Sequence, residues 1–269
     1  DIRPFIDAAA SVDNKRYNKF VKDYAQNKFH DTASVLMSEW ATEGDLLSFL
    51  RNNMRIMDES MWRNIFFQIL FNFAVIHKRY PQFKHNDAKP NNFLLSKVNN
   101  DGGMSYYCYV HNGVNFTIRS IGYMVKLWDF DFANISGIIN NSKVNAEWTN
   151  NININGDENK YYDICYFFSS LQHENFIEDF RDKVPKNVLD FIDDVVPLTL
   201  KKYKITDDKR GRLMENIEYV TPEELLINHP FFNRYKDESD RKTSFSASGK
   251  AKLRALIQAK RKTNDTTTE

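Results

Sequence analysis

His85-Asn86-Asp87-Ala88-Lys89-Pro90-Asn91-Asn92 brings a carboxylate, an ammonium and a carboxamide together at positions 87, 89 and 92. Phosphoryl transfer from a nucleoside triphosphate needs that trio. It takes an acceptor for the attacking hydroxyl's proton, a cation on the moving phosphoryl group, and an oxygen ligand for Mg²⁺. The apolar run Phe93-Leu94-Leu95 follows at once and reads as a strand that anchors the loop in a core. Further on, Val125-Lys126-Leu127-Trp128-Asp129 reads as a second strand, this one ending in an acid.

The elements that must position these residues are mostly helical. Residues 45–52 read as a short helix opened by Gly44-Asp45, and Asp58 is a good N-cap for a longer one reaching Tyr80, before Pro81. Met61, Ile65, Ile69, Phe73 and Ile76 recur at helical spacing, with Phe66 and Leu70 widening the stripe, so this is a central core helix. Tyr106–Val110 and Val114–Ile118 flank His111-Asn112-Gly113 and predict a β-hairpin, preceded by a turn at 99–103. From Asp131 to about Lys160 the chain is Asn-rich and reads as irregular. Tyr161–Leu171 predicts an apolar helix, and Val188–Leu200 another that Pro197 interrupts. Thr221, Pro222 and Glu224 form the signature of a capped helix start. At the N-terminal end, a helix over Asp13–Asn27 carries Lys15, Lys19 and Lys22 on a solvated face.

At 269 residues the chain can bury a full core. Lys+Arg 37 against Asp+Glu 36 leaves no global field, so nucleic acid and membrane surfaces are not indicated as partners. The two cysteines, Cys108 and Cys165, make no disulfide framework and suit a reducing, cytoplasmic setting. No apolar run is long enough to span a bilayer. The first residue is Asp rather than Met, which suggests a piece of a longer protein.

The loop His85–Asn92 closely resembles the catalytic loop of protein kinases, with Asn86 where that family carries Arg. Asp129-Phe130-Asp131 resembles the kinase metal-binding motif, with Asp131 in place of its glycine. Val35–Leu46 is similar to a kinase hinge entering its next helix, and Thr221–Phe232 to the last helix of a kinase large lobe. The overall resemblance is to divergent Ser/Thr protein kinases of large DNA viruses, lysine two positions after the Asp being the Ser/Thr pattern. It implies a mainly α fold: a kinase-like C-terminal lobe with a small β-hairpin region at the catalytic cleft and the small lobe largely absent. Only nine glycines occur, none in a G-x-G-x-x-G run, and no Val-Ala-x-Lys-like strand precedes the hinge. The implied organisation is a remnant over 1–37, the lobe over 38–236 with a hairpin insertion at about 97–124, and a Ser/Thr-rich linker with a basic tail over 237–269.

The same resemblance implies roles. Asp87 orients the acceptor hydroxyl or takes its proton, Lys89 neutralises the transferred phosphate, and Asn92 and Asp129 hold Mg²⁺. His85 braces the metal segment, and Asp163 anchors the loop backbone from a buried position. Glu39 and Ala41 offer backbone to the adenine of ATP, Asp45 faces its ribose, and Leu94 floors its pocket. Partners are a protein with a Ser/Thr acceptor and the small lobe of the parent chain, without which the 269 residues transfer phosphate poorly. Departures from the pattern qualify the picture. Asn86 argues against control by activation-loop phosphorylation. No Ala-Pro-Glu lies between Asp131 and Asp163, leaving Arg210 and Arg212 without the glutamate that such an arginine pairs with. A small-molecule phosphotransferase of the aminoglycoside or fructosamine kinase type, and a pseudokinase scaffold, stay open as alternatives. The basic tail Lys250–Lys262 is either a solvated helix or a surface for an acidic partner.

Overall fold

The computed structural model describes residues 15–28, 37–98, 105–203, 205–206 and 210–242. The turn expected at 99–103, the start of the hinge-like run, Asp207–Lys209 and the basic tail lie outside the described residues. The chain divides into two compact units, Asp1–Trp40 and Ala41–Glu269. The first contains helix α1 (Lys15–Ala25), on which Lys15, Lys19 and Lys22 are exposed.

The second unit is built on aromatic helix packing. Helix α2 (Leu46–Asn53) starts at Asp45, whose carboxylate accepts the Ser48 amide at 3.0 Å and so satisfies an otherwise orphaned donor. Helix α3 (Glu59–Arg79) starts the same way at Asp58. Trp62, Phe66, Phe67 and Phe73 of α3 are fully buried. Every residue of helix α5 (Tyr162–Leu171) is buried too, the mark of an element packed on all sides. Phe66 meets Phe168 of α5 at 4.9 Å, edge to face, and Phe191 of helix α7 (Lys186–Val195) at 5.8 Å. Phe180 of the short helix α6 (Phe180–Lys183) packs edge to face on Trp62 at 5.8 Å, and Phe191 in turn stacks on Phe231 at 4.5 Å. Pro197 ends α7 as expected, and helix α8 (Leu198–Tyr203) resumes beyond it. Helix α9 (Pro222–Asn228) begins with a complete capping box between Thr221 and Glu224.

The strands form small antiparallel ladders. Strand β2 (Phe93–Lys97) pairs with β5 (Tyr123–Leu127), placing Phe93 opposite Leu127. Strand β1 (Phe83–Lys84) pairs with β6 (Asn134–Ile135). Buried polar residues of α3 bond to β5 and to the end of the hairpin described below: Gln68 accepts the Val125 amide at 2.8 Å, and Asn64 donates to the Arg119 carbonyl at 2.8 Å. The segment after Asp131, read from the sequence as irregular, therefore contributes a strand, and it adds a one-turn helix α4 (Glu147–Asn150).

The inserted hairpin consists of β3 (Tyr106–His111) and β4 (Val114–Arg119). Its two-residue turn is Asn112-Gly113, both in the left-handed region that such a turn requires. His111, expected in the turn, instead ends β3, where its Nε2 meets Glu223 at 2.9 Å. Tyr109 and Phe116 pack on Phe67 of α3, and Phe116 bridges to Lys236 beyond the 3₁₀ turn Pro230–Tyr235. The ladders that flank the loop at 85–92 are β1–β6 and β2–β5.

Candidate active site

The loop between β1 and β2 is held from below by α5. The Asp163 carboxylate, buried at the first turn of α5, accepts the His85 amide at 2.7 Å and the Asn86 amide at 2.9 Å. Burial raises the Asp163 pKa above its ordinary value, against the opposing pull of His85, Lys84 and the two amides. Asn86 adopts φ 65°, a left-handed conformation that asparagine tolerates, and its amide donates to the Phe132 carbonyl at 3.0 Å. The side chain in the place of the family's arginine thus ties the loop directly to the segment after Asp129. His85 reaches the same segment: Nε2 lies 2.9 Å from the Trp128 carbonyl and the ring 5.4 Å from that of Phe130.

Asp87, Lys89 and Asn92 converge. Lys89 Nζ donates to Asp87 Oδ2 at 2.7 Å. The Asn92 amide nitrogen donates to Asp87 Oδ2 at 2.9 Å and to the Asp87 carbonyl at 2.7 Å, closing the loop across the five-residue spacing. The other oxygen, Asp87 Oδ1, pairs with Arg212, a residue the sequence reading set against an absent glutamate. Its guanidinium also donates to the Asn86 carbonyl at 2.6 Å and belongs to the loop. Only the Arg-Gly-Arg spelling hinted at it, because its destination depends on how strand β8 (Arg212–Leu213), paired with β7 (Ile205–Thr206), packs against α5.

Asp129 follows β5 with φ 59° and is exposed. The Trp128 amide donates to the Asn92 carbonyl at 2.9 Å, so Asp129 leaves its strand beside Asn92. With the Asn92 NH₂ committed to Asp87, its Oδ1 is the acceptor left over. Asn92 Oδ1 on the buried side and the exposed Asp129 carboxylate are hard oxygen donors of the kind that suits Mg²⁺, which keeps several waters and takes one or two protein ligands plus phosphate oxygens. Asp131 is instead paired with Lys143. Asp45 and Leu94 are brought together by an antiparallel bridge, with the Leu95 amide donating to the Gly44 carbonyl at 2.9 Å. The Asp45 side chain is engaged in its helix cap, and Ala41 accepts from the Gly44 amide at 3.3 Å. Glu39 is an exposed residue of the first unit.

Among the described residues no helix is long and apolar enough to cross a membrane. A family profile described as poxvirus serine/threonine protein kinase matches residues 44–236. A protein of Acanthamoeba polyphaga mimivirus named "Putative serine/threonine-protein kinase R400" is 39% identical over 245 residues, which is 88% of this chain. The chain spans about half the length of that relative, 52%. The resemblance to divergent kinases of large DNA viruses therefore holds, and the chain belongs to the poxvirus-type serine/threonine protein kinase family.

Proposed function

We propose that this chain carries the large lobe of a Ser/Thr protein kinase over residues 38–236, transferring the γ-phosphoryl group of ATP to a protein hydroxyl. The observation that supports it best is the closed loop in which Lys89 and Asn92 both bond Asp87, with Asp129 leaving its strand alongside. The acceptor hydroxyl docks at Asp87, which orients it and takes its proton as the oxygen bonds to phosphorus and the bond to the leaving ADP breaks. Lys89 moves with the phosphate and offsets its charge. Asn92 Oδ1 and Asp129 would hold Mg²⁺, whose charge would stabilise the phosphate oxygens. Leu94, Asp45 and the Ala41 backbone form the edge at which the adenosine binds. His85 and Asp163 fix this geometry and do no proton transfer.

The test is labelled-ATP transfer by the full-length polypeptide, wild type against Asp87→Asn, on casein, basic proteins and small hydroxylated compounds. Label on protein Ser or Thr that falls about 10²–10⁴-fold in the variant is the expected result. Label on small molecules alone, or transfer indifferent to Asp87, overturns the proposal.

A further inference from the structure

We propose that Arg212 is a positioning residue for phosphoryl transfer: it holds Asp87 charge-paired from the buried side, so that Lys89 is free to follow the phosphate. The inference rests on the site reading above and adds to it a residue that the catalytic-loop pattern does not contain.

The local fold aims Arg212 at this task. Arg210 and Gly211 both have positive φ, 56° and 82°. A Cβ on Gly211 would come within 3.2–3.3 Å of Ser169 backbone and Oγ atoms, so the turn lies tight against α5 and only glycine fits. That contact delivers the guanidinium under the catalytic loop. It lies 4.1 Å from the centre of the Tyr166 ring, donates to Tyr162 Oη at 3.2 Å and to the Asn86 carbonyl at 2.6 Å, and pairs with Asp87 Oδ1. A planar fork with several fixed donors can meet all of these at once, whereas an ammonium cannot.

Asp87 thus stands between two cations of different character. The Arg212 side chain is 9% exposed and clamped by α5, while that of Lys89 is 26% exposed and held by Asp87 Oδ2 and solvent. A phosphate arriving at the loop competes with Asp87 for Lys89. Were Lys89 the sole counter-ion, its departure would leave a buried carboxylate unpaired beside an incoming polyanion, an arrangement that low-dielectric surroundings penalise. With Arg212 in place the carboxylate stays compensated, and Oδ2 opens toward the acceptor hydroxyl at the moment Lys89 leaves it.

The experiment measures kcat and nucleotide affinity of the full-length polypeptide for Arg212→Lys and Tyr162→Phe, each in wild-type and Asp87→Asn backgrounds. Arg212→Lys keeps the buried charge but loses the fork. Its expected effect is a drop in kcat of about tenfold or more, with ATP affinity within about threefold. Tyr162→Phe, which only loosens the guanidinium, is expected to lose about two- to fivefold and serves if Arg212→Lys does not fold. Both losses should vanish in the Asp87→Asn background, because Arg212 acts through that carboxylate. Equal losses in both backgrounds would assign Arg212 a merely structural role and overturn the inference, as would an unchanged kcat. Full activity of Asp87→Asn alone would instead overturn the site reading itself.

Discussion

Residues 83–92 and residues 128–143 both supply polar groups to the candidate site, yet they are built in opposite ways. In the first, Phe83 through Ala88 are all buried, and the His85 and Asn86 amides and the Asn86 carbonyl are satisfied by Asp163 and Arg212, distant in sequence. In the second only Asn134 is buried, and Trp128, Phe130, Ile138 and Ile139 are exposed. Its ties are mostly to itself: Asn141 donates to the Asp131 and Ala133 carbonyls at 2.8 and 3.1 Å, and Lys143 pairs with Asp131. The geometry around Asp87 is therefore a property of the whole helical core. That around Asp129 is local, joined to the loop through Asn86, His85 and the β1–β6 ladder.

The contrast is broken most severely at Asp163. Asp163→Ala leaves two buried amides without acceptors and should cost about 3–5 kcal/mol in urea unfolding. A loss below about 1 kcal/mol would mean that the loop is as locally held as the other segment. Lys84, on β1 in the first region, sharpens the comparison through pH. Fully buried, it donates to Asn155 at 2.6 Å, and burial pulls its pKa down to about 8, with Asp163 and Asp157 opposing. Between that value and the usual lysine range the unfolded chain binds the extra proton, so this group makes stability rise with pH above about 8. The slope is at most about 1.4 kcal/mol per unit. Lys236, also lowered to about 8 by burial, adds a like term, while Cys165, raised to about 12 by burial, opposes it above about pH 9, so Lys84→Met should make the change in stability from pH 8 to pH 10 less favourable than in wild type, as read from melts at the two values. The smallest effect belongs to the exposed pair. Lys143→Ala should change stability by less than about 1 kcal/mol, and less still at high salt.

The same division explains what could be read from the chain. Asp58, Thr221 and Pro197 fix helix ends through neighbours three or four residues away, and those boundaries were legible. The spacing of Asp87, Lys89 and Asn92 was legible because the loop closes on itself. Arg212 was not, since its target lies across the core and no periodicity encodes it. The seat of the hairpin was not legible for a related reason. Alternation and Asn112-Gly113 specify the turn, but which surface receives Phe116 is decided by α3 and the 3₁₀ turn at 230–235. The short strand Asn134–Ile135 was hidden by composition, as asparagine-rich sequence carries little strand signal and pairing with β1 supplies what propensity does not.

That hairpin also bears on how the chain comes to be folded. Two strands around an Asn-Gly turn can zip in microseconds, as soon as they exist. Their docking partners come far later: Glu223, which meets His111, is 112 residues downstream. Until the ribosome has released the stretch around α9, the apolar side of the hairpin, with Phe116 and Ile118, has only part of its cover. Contacts of such span slow folding, because the loop they close must be ordered before it is rewarded. The insertion thereby makes completion of the domain wait on its last hundred or so residues.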